Sequence, residues 1–145
     1  MAPAARKARI LSIAGSDSGG GAGIQADIKT VTSLGGYAMT AVTALTAQNT
    51  LGVREILPVP AAFVREQIRC VLDDIGADAI KTGMLGGAEE INAVAGEVTA
   101  ALRANPALPV VVDPVMVAKG GAALLRTDAL ETLKRELLPR ATVLT

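Results

Sequence analysis

Residues able to do chemistry stand at the ends of apolar runs in this chain. The first such run, Arg9-Ile10-Leu11-Ser12-Ile13-Ala14, is followed by the glycine-dense loop Gly15-Ser16-Asp17-Ser18-Gly19-Gly20-Gly21-Ala22-Gly23. A strand, a polar glycine loop and a helix start, in that order, let backbone N–H groups and a helix N-terminus face an anion or a polar small molecule. Further along, Gln48-Asn49, Lys81-Thr82-Gly83 and Asp113 each close an apolar stretch, and Lys119 precedes Gly120-Gly121. Asp27 falls on the apolar side of the first helical wheel, where a carboxylate needs a partner or a purpose. Each has a plain structural alternative. Gln48 reads equally as a solvated strand-end amide, Asp113 as a turn acid before Pro114, and Lys119 as a loop charge. Lys81 reads as a partner for Asp78 or another nearby acid, and Asp27 as a first-turn acid favoured by the helix dipole.

The glycine loop excludes one nucleotide chemistry and disfavours another. A P-loop requires a lysine directly after its last glycine, and none follows these glycines until Lys29. Gly21-Ala22-Gly23-Ile24-Gln25-Ala26 fits the G-x-G-x-x-A dinucleotide fingerprint. However, the loop before it is longer than a tight Rossmann turn, and Gln48-Asn49 stands where an acid for the ribose is expected.

Composition narrows the rest. Lys plus Arg equals Asp plus Glu at 14 each, so no global field draws nucleic acid or anionic lipid. The absence of histidine removes imidazole bases, imidazole metal ligands and the commonest pH switch. A single cysteine, Cys70, forbids an internal disulfide and fits a reducing, cytoplasmic setting. Its place beside Phe63 on a helix edge reads as a small buried hydrophobe. No run approaches a membrane span. Half of the 145 residues are hydrophobic, yet there is one Phe, one Tyr and no Trp, so the core must be built from many small aliphatic contacts.

Strand-like and helix-like stretches alternate. Ile24, Ile28, Val31 and Leu34 predict a helix over 22–34 that stops at Gly35-Gly36. Tyr37 to Ala47 reads as one buried strand ending at Gln48-Asn49, and 52–59 as a short strand. Val64, Ile68, Val71, Leu72 and Ile75 form a helical stripe, as do Ile91, Val94, Ala95, Val98 and Leu102. Strands are expected at 78–83 and 109–113, a last helix at 128–138 and a buried strand at 141–145. The pattern predicts an α/β fold with a mainly parallel central sheet and helices on both faces. Stopping inside an apolar strand is the pattern expected of the front part of a longer domain.

Four stretches together carry a resemblance. The loop through Asp27, then Thr43-Ala44-Leu45-Thr46-Ala47-Gln48-Asn49-Thr50, Lys81-Thr82-Gly83-Met84-Leu85 and Asp113-Pro114-Val115-Met116, resemble the hydroxymethylpyrimidine/phosphomethylpyrimidine kinases of thiamine biosynthesis, in the ribokinase-like superfamily. The resemblance implies ATP-dependent phosphorylation of 4-amino-5-hydroxymethyl-2-methylpyrimidine and then of its monophosphate. It implies that Gln48 binds the pyrimidine, whose ring nitrogen and amino group a carboxamide can satisfy together. Asp27 is implied as a further pocket residue, Gly15 as a point where backbone nears the ring, and Met84 and Val115 as apolar walls. Asp113 is implied near the phosphates and Mg²⁺, with Lys119 in reach of a phosphate. The catalytic base is expected beyond Thr145, so residues 1–145 are expected to form the N-terminal part of one kinase domain, inactive alone. A homodimer is implied. A pyridoxine or pyridoxal kinase of the same fold, and a pyrimidine-binding module without activity, are the alternatives.

Overall fold

The computed structural model describes residues 6–116 and 127–145. Five strands form one parallel sheet: β1 (Arg9–Ala14), β2 (Tyr37–Val42), β5 (Ala79–Thr82), β6 (Val110–Val112) and β7 (Val143–Leu144). Their spatial order is β2-β1-β5-β6-β7. A separate antiparallel hairpin pairs β3 (Ala44–Asn49) with β4 (Gly52–Pro58).

Side-chain parity divides the sheet into two unlike faces. Leu11, Ile13, Ile80, Val110 and Val112 point to one side, where they are fully buried with Val64 and Ile68 of α2 (Ala61–Asp74) and Ile91, Val94 and Val98 of α3 (Ala88–Ala104). Each such side chain contributes about 1.5–3 kcal/mol of hydrophobic stabilisation. Ala93 and Ala95 let α3 approach its neighbours closely, so aliphatic packing suffices without large aromatic rings. On the opposite side Ser12 and Lys81, register partners in β1 and β5, face α1 (Gly23–Ser33).

Helix ends follow local sequence. Past Leu34, the Gly35 N–H donates to the Thr32 carbonyl at 3.0 Å and the Gly36 N–H to Val31 at 2.9 Å, the two bonds of a Schellman stop. Glu90 begins α3 by accepting from the Gly87 N–H at 3.0 Å. Between α2 and α3 the buried Glu97 is held by Arg69 at 3.0 Å and Arg65 at 3.5 Å.

Several expectations change. The single strand read over 37–47 breaks at Thr43, and its second half leaves the main sheet for the hairpin. Three tertiary bonds impose the break: Thr43 donates N–H to Ala14 at 3.0 Å and hydroxyl to Met84 at 2.6 Å, and accepts from Val59 at 2.9 Å. Cys70 is exposed, not buried, since it lies off the Val64–Ile68 stripe, and Phe63 is exposed with it. The last helix, α4 (Thr127–Thr132), continues through a wide π-type turn over Leu133–Leu137 and a tight turn over Leu138–Arg140, where Pro139 ends it. β7 is half exposed, because it pairs with β6 on one side only.

Candidate functional site

The chain runs outward from β1 in both directions, to β2 on one side and to β5 on the other. Such a reversal opens a crevice at the strand C-termini, the position where open α/β sheets bind ligands. A cleft lies there, lined by Gly15 after β1, Gly83 and Met84 after β5, Asp113 and Val115 after β6, and Gln48 from the hairpin.

Asp17 builds the wall formed by the glycine loop. It is 4% exposed, and its carboxylate accepts the N–H groups of Gly19 at 2.8 Å, Gly21 at 2.9 Å and Ala22 at 2.8 Å. Its own N–H donates to Gln25 Oε1 at 2.7 Å, locking the loop to α1. Three loop donors that could have faced an anion are therefore engaged internally by a built-in one. Gly23 supplies the tightest contact. Its φ is +54°, a Cβ there would lie 2.3 Å from the Gly15 carbonyl oxygen, and that same oxygen accepts the Ile24 N–H at 3.0 Å. At Gly15 a Cβ would meet Met84 Cε at 2.5 Å, so the missing side chain makes room for the methionine on the cleft wall.

Hairpin and loop are stitched together. Ser18 Oγ donates to the Gln48 carbonyl and accepts the Gln48 N–H, both at 2.8 Å, while Thr46 Oγ1 donates to the Ser16 carbonyl at 2.8 Å. The hairpin register shifts between Ala47 and Gln48, leaving Arg54 without a partner. The extra residue lies in β4, on the strand opposite Gln48, and Gln48 lines the cleft.

The remaining candidates divide. Asp113 hangs from β5 through its N–H, which donates to Thr82 at 3.0 Å, and its carbonyl accepts the Val115 N–H at 2.9 Å. Asp27 does not line the cleft. It accepts from Ser12 Oγ at 2.5 Å and pairs with Lys81 Nζ at 3.0 Å to both carboxylate oxygens. Lys81 does line the cleft, so Asp27 touches it through the lysine. Asp78 instead binds Arg9 at 2.8 Å and Arg6 at 3.1 Å, which settles the choice of partner for Lys81. The Arg9 guanidinium and backbone N–H hold the Asp78 carboxyl well below the usual carboxylate range. Lys119 lies outside the described residues. Sequence reasoning passed over Asp17, Gly23 and Thr46. Asp17 carried a signal, since an Asp followed by glycines is a loop-forming pattern; Thr46 carried none.

A family model described as phosphomethylpyrimidine kinase matches residues 17–145. The chain belongs to this family. It is 53% identical over 136 residues to a hydroxymethylpyrimidine/phosphomethylpyrimidine kinase of Streptomyces coelicolor, covering 94% of this chain and 49% of that one. The crystal structure of phosphomethylpyrimidine kinase from Clostridium difficile 630 superposes with a TM-score of 0.84 at 42% identity, over 95% of this chain and 58% of that one. The pyridoxal kinase of Staphylococcus aureus in complex with AMP-PCP and pyridoxal is 38% identical, with a TM-score of 0.78, over 96% and 48% respectively. The chain thus spans about half the length of this curated phosphomethylpyrimidine kinase family member. Its sheet and helices are those of the ribokinase-like kinases, as the sequence led us to expect.

Proposed function

We propose that this chain carries the pyrimidine-binding cleft of an ATP-dependent kinase that phosphorylates 4-amino-5-hydroxymethyl-2-methylpyrimidine and then its monophosphate. The observation that carries the reading is the convergence of Gln48, the apolar Met84 and Val115, and Asp113 on one crevice. On this reading the ring lies between Met84 and Val115, and Gln48 pairs with its polar edge. Gly15 keeps that wall free of a Cβ, and the Asp27–Lys81 pair fixes an ammonium at the cleft's foot. The S. aureus relative, whose complex holds both an ATP analogue and a ring substrate, supports ATP as the donor.

Among the described residues no three His, Cys, Asp or Glu side chains converge as a metal cage. Mg²⁺ bound through nucleotide phosphates asks for only one or two carboxylates, and Asp113 offers one while Asp17 is engaged by the loop. Asp113 therefore fits a place in the shell of such an ion, which would neutralise phosphate charge during transfer. The reading includes a homodimer and a cytoplasmic setting; the one exposed thiol, Cys70, suits a reducing compartment.

Calorimetry on the chain tests the proposal. Binding of the pyrimidine alcohol, with pyridoxal at least about tenfold weaker, is expected, since a site built to pair with one polar edge rejects another. Preference for pyridoxal, or no pyrimidine binding at all, overturns it.

A further inference from the structure

The hydroxyl of Thr46 stands between two oxygens. Thr46 is buried, and its Oγ1 lies 2.8 Å from the Ser16 carbonyl and 3.1 Å from the Gln48 side-chain Oε1 position. A threonine hydroxyl carries one proton. The nearer partner is a main-chain carbonyl of the loop, which can only accept, and no other donor reaches that carbonyl among the described residues. The proton is therefore committed to Ser16. With Gln48 Oε1 facing Thr46, two oxygens would then meet without a hydrogen between them. Turning the carboxamide over replaces that repulsion with an Nε2–H donating to the free lone pair of Thr46 Oγ1. A carboxamide's two ends have the same shape, so hydrogen-bond partners alone decide which end goes where.

We infer that Thr46 is a specificity-determining positioning residue: through the Ser16 carbonyl it holds the Gln48 carboxamide with Nε2 toward the hairpin and Oε1 toward the cleft. A ligand meeting Gln48 must then present a donor to Oε1. An exocyclic amino group on a heteroaromatic ring does so. The corresponding oxo ring, with its carbonyl against Oε1 and its ring N–H in place of an acceptor, reverses the pattern and leaves polar groups unpaired. The inference rests on the pyrimidine reading of the cleft for its choice of ligand and on the Thr46 geometry alone for the amide's orientation.

Two measurements test these separately. In the ligand-free chain, NMR should show cross-peaks from the Gln48 carboxamide protons to the Thr46 β and methyl protons; their absence in a folded sample overturns the orientation. By calorimetry the unmodified chain should prefer the 4-amino pyrimidine alcohol over its 4-oxo analogue by about tenfold or more, the ratio typical of one mispaired polar group. Thr46→Val, which keeps the shape and removes the hydroxyl, should free the amide to turn and lower that preference to about threefold or less, whereas Thr46→Ser should restore it. Circular dichroism confirms that each variant is folded. An unchanged ratio in folded Thr46→Val, or no preference in the unmodified chain, overturns the inference. Failure of both rings to bind counts against the pyrimidine reading, and the cross-peaks then decide the orientation alone.

Discussion

Replacing Gly23 with alanine should damage the loop far more than the same change at Gly35, although both glycines have positive φ. At Gly35 φ is +80° and a new Cβ would meet nothing within 4 Å. Only dihedral strain remains, about 1 kcal/mol for a left-handed alanine, partly offset by the stiffer unfolded chain. At Gly23 the strain is similar, but the Cβ would stand 2.3 Å from the Gly15 carbonyl oxygen. That atom is main chain and already bonded to the Ile24 N–H at 3.0 Å, so it cannot move without breaking the bond that joins loop to helix. Loss of the bond adds about 1 kcal/mol, and shifting Gly15 presses on the backbone N–H network around Asp17, adding about 1 kcal/mol more. Gly23→Ala should therefore cost about 3 kcal/mol and Gly35→Ala about 0.5–1 kcal/mol. Urea denaturation followed by circular dichroism measures both, and the difference corresponds to a gap in melting temperature of about 6–8 °C for a domain of this size. Gly23→Ala should also abolish ligand binding, since Gly23 lines the cleft, while Gly35→Ala leaves it intact. Losses equal within about 0.5 kcal/mol would refute the claim that the Gly15 carbonyl is what demands a glycine at 23.

Two further outcomes follow from the ion pairs. Asp27 and Lys81 are 19% and 26% exposed, between a surface pair and a buried one, so a double-mutant cycle of Asp27→Asn and Lys81→Met should give a coupling of about 1–2 kcal/mol; a value near zero would mean the two side chains do not depend on each other. The Arg9 contacts lower the folded-state carboxyl of Asp78 below its unfolded value of about 3.9, so the stability it adds is complete above that value and is lost as pH falls through the lower folded one. Melting temperatures from pH 7 to pH 2 should show Asp78→Asn below the unmodified chain at neutral pH, with the gap closing under about pH 4. A gap constant across that range would show that Asp78 contributes nothing through its charge.

Alternation of strands and helices was legible because parallel strands buried on both faces are continuous apolar runs, as in Val110-Val111-Val112, and because α2 and α3 carry unbroken apolar stripes. The break at Thr43 was not legible. No glycine or proline marks it, and the bonds that cause it come from Ala14, Val59 and Met84, all distant in sequence. Periodicity placed Asp27 on the inward side of its helix and so demanded a partner, but could not choose between a ligand and a lysine. The choice depended on Ser12 and Lys81 being register neighbours on the face that α1 covers, a fact of strand pairing and not of spacing. Cys70 went astray for the opposite reason: a residue at the edge of a stripe turns outward with a small rotation of the helix.

On the proposed reading, Asp17 also bears on how a phosphorylated ligand would lie. Glycine loops at helix N-termini hold phosphates because their N–H groups are unpaired and point outward. Here Gly19, Gly21 and Ala22 direct theirs to a buried carboxylate, which leaves that wall without free donors at these positions and with a negative charge behind it. A phosphate placed against it would meet repulsion in a site of reduced dielectric, where opposing charges matter most. An uncharged ring meets no such cost, and Met84, packed where Gly15 has no side chain, gives it an apolar surface. On the proposed reading the phosphate end belongs beside Asp113, where a second negative charge requires a cation between the two. On the proposed reading, the ring rests on the glycine loop because three of the loop's N–H donors are already engaged from within.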